Sequence, residues 1–377
     1  MWTVLLWAGA VLWIYFFLQL LVNRLCFIDL SRRFPKEPDS RPLISIVVPA
    51  RDEEKKIREA VTSFCTQDYP EFEVIVVDDR STDATPAILA ELRSRFPNLT
   101  VVHGKEPPPG WLGKPHALQQ GLERARGEWV LFVDADVVYS PDLLRRAVAY
   151  ALEEKASMLF LMPCIEARGV VEASLMSALF FLGAAILPSF LATRSRLKGI
   201  ALGAGVFNMV RRKALDACGV FEGMKDMVVD DVGLGFRIKR GGFKLAGALA
   251  GPMIRIRMYE GAGDTVRGFT KNIYPALRSF PWFIPLLFPF AMIISILPYL
   301  GFGLGLVEGR FCLPAALSLV LMHATFAGIA LIFHQPWHIV FTNPLRELGW
   351  CWIVARSAWM YHTKGIVWRG RTYGKGP

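Results

Sequence analysis

The chain reads as an α/β domain built on a largely parallel sheet, with membrane-spanning helices at both ends. Three observations predict this. Short β-rich runs, "LISIVVP", "FEVIVVDD", "LTVVHG" and "EWVLFVDAD", alternate with helix-like stretches such as Glu53 to Phe64 and Thr85 to Phe96, the signature of βαβ units. The composition, 53% hydrophobic over 377 residues with a mean hydropathy of +0.35, is too apolar for a simple soluble domain. The excess gathers in long uncharged runs near the two termini.

The first run, Trp2 to Val22, holds 21 residues without a charge and is followed by Arg24, Arg32, Arg33 and Lys36. A secretory signal carries its positive charge before a shorter apolar core, so this polarity and length predict a membrane anchor whose following chain faces the cytoplasm. Two more runs, Pro281 to Val307 and Phe311 to Phe333, are separated only by Glu308, Gly309 and Arg310 and predict a transmembrane hairpin. The segment Leu345 to Tyr361 carries Arg346, Glu347 and Arg356, charges that favour lying in the interface over crossing. Ala173 to Ala192 has no charge over 20 residues. Crossing there would split the α/β domain across the bilayer, so an interfacial helix is expected, with a buried core helix as the alternative. The expected organisation is therefore an anchor over residues 1–23, a cytoplasm-facing α/β domain over 41–272 that includes the interfacial segment 173–192, a transmembrane hairpin over 281–333, and an interfacial helix with a basic tail over 345–377.

A net charge of +10 suits nucleic acid or an anionic membrane face; the aromatic and apolar runs beside the basic residues select the membrane, and no nucleic-acid role is expected. Six scattered cysteines form no CxxC pair, which supports neither a zinc site nor a disulfide framework. His334 and His338 are separated by Pro336, which breaks the helical turn that a ligand pair at that spacing needs. Gly301, Gly303 and Gly305 lie inside an apolar span with no strand before them, which predicts helix packing rather than nucleotide binding.

Chemistry is expected at the carboxyl ends of the strands, where open α/β sheets bind ligands. Asp78 and Asp79 end one apolar run; Asp134 and Asp136 end another. Carboxylates two apart on an extended segment project to one side and can share a hard cation, Mg²⁺ or Mn²⁺, together with substrate phosphates. "GWLGKPHALQQG" puts Lys114 and Pro115 at a helix start, where free N–H groups attract anions. "DDRSTD" can also serve as a cap for the helix that begins near Ala84, and Asp231 as a cap before "VGLGFRIKR".

Taken in order, "ISIVVPARDEEKKI", "VIVVDDRSTD", "GWLGKPHALQQG", "WVLFVDAD" and "VVDDVGLGFRIKRGG" resemble the family 2 glycosyltransferases of GT-A fold over roughly Arg41 to Asn272. "RMYEGAGDTVRGFTKN" and "VWRGRTY" are similar to the subgroup that glycosylates membrane lipids such as carotenoid acids, hopanoids or ceramide. The resemblance implies a Rossmann-like nucleotide-sugar-binding domain in which Glu54 and Asp79 contact the nucleoside, Lys114 and Asp134 lie at the donor, and Asp134 and Asp136 form the metal-binding DxD. It makes Asp231 the general base. Asp230 stands where relatives usually carry Glu, and Arg267 and Phe269 lie in the acceptor segment, Phe269 replacing a common Trp. The Gln-x-x-Arg-Trp motif of processive synthases is missing from the sequence. The expected protein is an integral membrane enzyme of a bacterial inner membrane, inverting, that moves one hexose from a UDP-sugar to a lipid acceptor. With polyprenyl phosphate as acceptor, Asp231 would matter much less; an inactive scaffold has no reason to keep Asp79, Asp134, Asp136 and Asp231 together.

Overall fold

The computed structural model describes residues 2–36, 40–225, 227, 230–277, 284–363, 365–368 and 371–373. The chain divides into two compact units: one of residues 26–165 and 189–258, the other of residues 1–25, 166–188 and 259–377.

The first unit is α/β. Its sheet contains β1 (Ile28–Asp29), β2 (Ile44–Ala50), β3 (Phe72–Asp78), β4 (Leu99–His103), β5 (Trp129–Phe132), β6 (Val137–Tyr139), β7 (Met158–Ile165), β8 (Asn208–Arg211) and β9 (Leu245–Ile256). The order is β1-β9-β7-β8-β5-β2-β3-β4, with β6 added to β9. The continuous apolar runs became the central strands because helices Ile57–Cys65, Thr85–Arg95 and Gly113–Arg124 connect them in parallel, and β2, β3 and β5 are buried almost throughout. At the opposite edge from the strand ends, the buried Glu73 carboxylate accepts from Ser45 Oγ at 2.7 Å and from the Arg126 backbone and guanidinium at 2.8 and 2.9 Å, locking β2 to β3. A full set of donors is what makes a buried carboxylate tolerable.

Parallel pairing of β2, β3, β4 and β5 brings their carboxyl ends to one edge. β8 runs antiparallel to β5 in the register Phe132↔Asn208, so the loop leading into β8 meets the end of β5 at that same edge. β5 stops at Phe132 because the chain changes partner: Val137 already pairs with Ile256 of β9. Ala135 and Asp136 form a turn within this four-residue transfer. The extended Asp134–Asp136 segment expected from the sequence is thus corrected to a turn.

The second unit is helical. Three of its helices, Trp2–Cys26, Ile284–Val307 and Leu313–Ile332, are long and apolar enough to cross a membrane. Trp13, Phe16, Phe181 and Phe326 form an aromatic cluster among them, with ring centroids 5.1–6.3 Å apart. Two helices contain a π turn, Leu182–Ile186 and Met292–Ile296. The first helix satisfies carbonyls at both: Trp13 Nε1 donates to Ile294 O at 2.7 Å, Tyr15 Oη to Ile186 O at 2.8 Å, and Asn23 Nδ2 to Ala184 O at 2.9 Å and Leu187 O at 3.0 Å. In an apolar surrounding such carbonyls need a protein donor, so this helix is a structural member as well as an anchor.

Two expectations change. The α/β unit is not continuous over 41–272, since residues 166–188 and 259–272 belong with the helical unit. Helix Val170–Phe181 is too apolar to be covered by its sequence neighbours; Ala173, Leu175, Met176, Phe180 and Phe181 bury against helices distant in sequence. Arg346, expected among exposed charges, is buried within the protein. It is 1% exposed on helix Asn343–Thr363, its guanidinium 3.5 Å over the Phe326 ring and 3.2 Å from Glu347. Ring face and carboxylate compensate the charge. Arg356 on the same helix is exposed.

Replacing Trp13 with Phe keeps a ring in the cluster but leaves the Ile294 carbonyl without its indole donor. The expected cost is about 1–3 kcal/mol, read as a lowered thermal midpoint of the detergent-solubilised protein. An unchanged midpoint refutes the pinning role.

Candidate active site

The acidic edge is organised around a backbone unit that the sequence motifs do not contain. Gly205 accepts a hydrogen bond from the Asp134 N–H at 3.1 Å, and its own N–H donates to Asp231 Oδ2 at 2.9 Å. Asp231 sits in the first turn of helix Asp230–Arg240, and its Oδ1 accepts from the Val232 N–H at 2.8 Å. Lys114, from the first turn of helix Gly113–Arg124, places Nζ 2.8 Å from Asp134 Oδ1. These four residues, with Asn208, line one pocket. The buried Asn208 shapes its wall by accepting the Ala204 N–H at 3.0 Å.

Close approach requires the glycines. A Cβ at Gly205 would sit 2.7 Å from Asp134 Oδ2, one at Gly203 would sit 2.0 Å from the Asp231 carbonyl oxygen, and one at Gly235 would sit 2.2 Å from that of Leu202. Segment 202–205 and the start of the Asp231 helix can therefore pack backbone to backbone.

Asp136 points to a different partner, Lys56, whose Nζ lies 3.5 Å from its Oδ2. Burial first, and the adjacent Asp134 second, push the Asp136 carboxyl up to about 6, against the opposing pull of Lys56. Two close carboxylates, each beside an ammonium group, form a pair of oxygen donors. Their oxygen donors fit Mg²⁺ or Mn²⁺. Among the described residues no group of three or more His, Cys, Asp or Glu could hold a metal, so the two carboxylates need further oxygens from a substrate.

The loops after β2 and β3 are zipped together beside this pocket. Asp79 is 6% exposed, donates its N–H to the Ala50 carbonyl at 2.8 Å, and has Arg80 and Arg51 at 3.2 and 3.6 Å. Asp52, at φ +52°, accepts from the Thr82 N–H at 2.8 Å. The Glu54 carboxylate accepts from the Ala84 N–H at 3.1 Å at the start of helix Thr85–Arg95, and the Asp83 carboxylate accepts from the Thr85 N–H at 2.9 Å. Glu54 thus serves the loop pair here, and Asp83 takes the capping role considered for "DDRSTD".

Of the acceptor residues expected from the sequence, Arg267 is exposed on helix Ala262–Leu277 with Asp264 3.6 Å away. Phe269 is 5% exposed, its ring packed between Tyr259 and Trp350 at 5.1 and 4.6 Å. Neighbouring protein rings therefore cover it. Both residues belong to the helical unit. The Asp230 side chain lies outside the described residues.

The model of the glycosyl transferase family 2 matches residues 45–219, from β2 to the helix after β8. The chain carries a family 2 glycosyltransferase domain. Beta-monoglucosyldiacylglycerol synthase of a Nostoc species is 33% identical over 214 residues, which is 55% of this chain and 43% of that protein, so the chain spans less than half of that relative. A 4,4'-diaponeurosporenoate glycosyltransferase of Staphylococcus aureus is 25% identical over 346 residues, 88% of each chain. The solved mannosyltransferase PcManGT of Pyrobaculum calidifontis, in complex with GDP-Man and Mn²⁺, matches with a TM-score of 0.55 at 21% identity, covering 95% of this chain and 99% of that one. That likeness shows the GT-A fold. Asp231 lies beyond the residues matched by the family, so its place in the site rests on the Gly205 hydrogen bond.

Gly205→Ala should displace the Asp134 carboxylate while leaving the sheet intact. Turnover is expected to fall by about 10²-fold, with little change in the thermal midpoint, because a shift near 1 Å in a positioning group carries that order of penalty. Wild-type turnover from the alanine variant would show that the close approach is dispensable.

Proposed function

We propose that the chain transfers a single hexose from a nucleoside diphosphate sugar, a UDP-sugar, to a hydroxyl or carboxyl of a membrane lipid, with inversion at the sugar C1. The observation that carries the reading is one pocket in which Gly205 bonds both Asp134 and Asp231 and Lys114 pairs with Asp134. It sets cation- and phosphate-binding groups beside a carboxylate that can take a proton.

Asp134 and Asp136 would hold Mg²⁺ or Mn²⁺, which when bound neutralises charge on the departing diphosphate. Lys114, at a helix start, adds an ammonium toward the same phosphates. When the acceptor is a hydroxyl, Asp231 accepts its proton as the hydroxyl oxygen forms the bond to C1; a carboxylate acceptor arrives without that proton. In either case the C1–O bond to the diphosphate breaks, and the electron pair leaves with the phosphate. The Gly205 N–H fixes one Asp231 oxygen and so orients the carboxylate. Asp79 and Glu54, in the loop pair beside the pocket, are the candidates for contact with the nucleoside.

Two findings support a lipid acceptor. Among the described residues three helices are long and apolar enough to cross a bilayer, and the named relatives include a beta-monoglucosyldiacylglycerol synthase and a 4,4'-diaponeurosporenoate glycosyltransferase. Arg24, Arg32, Arg33 and Lys36 after the first span favour a cytoplasmic catalytic unit, where nucleotide sugars are made. The apolar helix Val170–Phe181 and its π turn expose Val170, Val171 and Leu182, an outward apolar surface suited to acyl chains.

The test uses detergent-solubilised protein with Mn²⁺, UDP-sugar and diacylglycerol, whose acceptor group is a hydroxyl. Asp231→Asn should bind UDP with near-normal affinity and lose at least about 10²-fold in transfer, since removal of a base acts on the transition state. Transfer at the wild-type rate by this variant would reject Asp231 as base and favour an acceptor that is already anionic.

A further inference from the structure

Lys56 is a charged group at the acidic edge that the proposed chemistry does not use. It lies in the "RDEEKKI" stretch just before helix Ile57–Cys65, in the turn that starts that helix: its N–H donates to the Glu53 carbonyl at 3.0 Å and its carbonyl accepts from Ala60 at 3.2 Å. The far end of the side chain is fixed as well, because Nζ donates to the Arg257 carbonyl at 2.7 Å, just past β9. The ammonium is therefore held in place from both ends, 3.5 Å from Asp136 Oδ2. Asp136 is also faced by Asp134 and Glu53, and Asp134 by Lys114.

This arrangement bears on how a divalent ion arrives. A cation that approaches Asp136 alone meets a carboxylate already compensated by a fixed positive charge, and is repelled by that charge at short range. A cation that arrives with a diphosphate brings net negative charge, which the same ammonium favours. From the geometry, and resting on the reading of Asp134 and Asp136 as the metal site, we infer that Lys56 makes metal binding depend on the nucleoside diphosphate. It is a positioning residue that disfavours the bare ion and favours the ion–diphosphate pair. Because coupling between ligands is reciprocal, the factor by which the nucleotide tightens metal binding is the factor by which the metal tightens nucleotide binding.

The experiment titrates Mn²⁺ alone into the full-length detergent-solubilised protein at pH 8, with free Mn²⁺ read by electron paramagnetic resonance, and then repeats the titration with saturating UDP. At that pH the wild-type Asp136 carboxyl, pushed up to about 6, is ionised. Lys56→Met should bind Mn²⁺ alone about tenfold more tightly than the wild type, with a smaller change when UDP is present. Lys56→Gln, which keeps a donor for the Arg257 carbonyl, should shift in the same direction and covers the case in which the methionine variant does not fold. Lys56→Arg should behave as wild type. Asp136→Asn separates the two readings. If it binds Mn²⁺ like the wild type, the metal site itself is misassigned. If it loses Mn²⁺ while both neutral Lys56 variants bind the bare ion no more tightly than wild type, the role of Lys56 is overturned and the metal site stands.

Discussion

The peptide unit of Gly205 is the constraint on which the acidic edge depends. Its carbonyl receives the N–H at the end of β5, and its N–H holds the carboxylate of Asp231. Asp134 and Asp231 are 97 residues apart in sequence, yet one glycine sets both, and no side chain fits between them without moving a carboxylate. The antiparallel return of β8 makes this possible. A purely parallel sheet would carry the next strand's entry loop to the opposite edge.

The electrostatics follow from that compactness. Carboxylates crowded at the end of a buried sheet cost free energy unless compensated, and the structure compensates each differently: Asp134 by Lys114, Asp136 by Lys56, Asp79 by Arg51 and Arg80, and Asp231 by backbone N–H groups. In the last arrangement the backbone N–H groups of Gly205 and Val232 fix the direction of the Asp231 carboxylate. Side-chain ammonium groups, by contrast, can respond to arriving phosphate or metal.

Much of the fold was legible because the central strands are buried on both faces and so carry unbroken apolar runs, "ISIVVPA" and "FEVIVVD" among them. The paired aspartates at their ends were legible for the same reason, since polar residues directly after such runs need a purpose. Gly205 and Lys56 were not. A glycine's role shows only when the atoms its Cβ would strike are known, and Lys56 reads as an ordinary surface lysine until β9 brings the Arg257 carbonyl to it. The division into units was also hidden. Helix Val170–Phe181 lies within the α/β sequence but buries its faces against helices contributed from elsewhere in the chain, and Arg346 reads as interfacial until Phe326 is found beneath it. Short-range patterns do not report partners so distant in sequence.

The central claim is that the edge works by direct displacement, with one carboxylate as base and the leaving diphosphate held on the opposing cationic groups. The anomeric configuration of the transferred sugar, read by proton NMR on the isolated lipid product, tests it most directly. From an α-linked nucleotide sugar the account predicts a β-glycoside. An α-glycoside would contradict it, because retention calls for a second displacement that a single base at Asp231 does not provide.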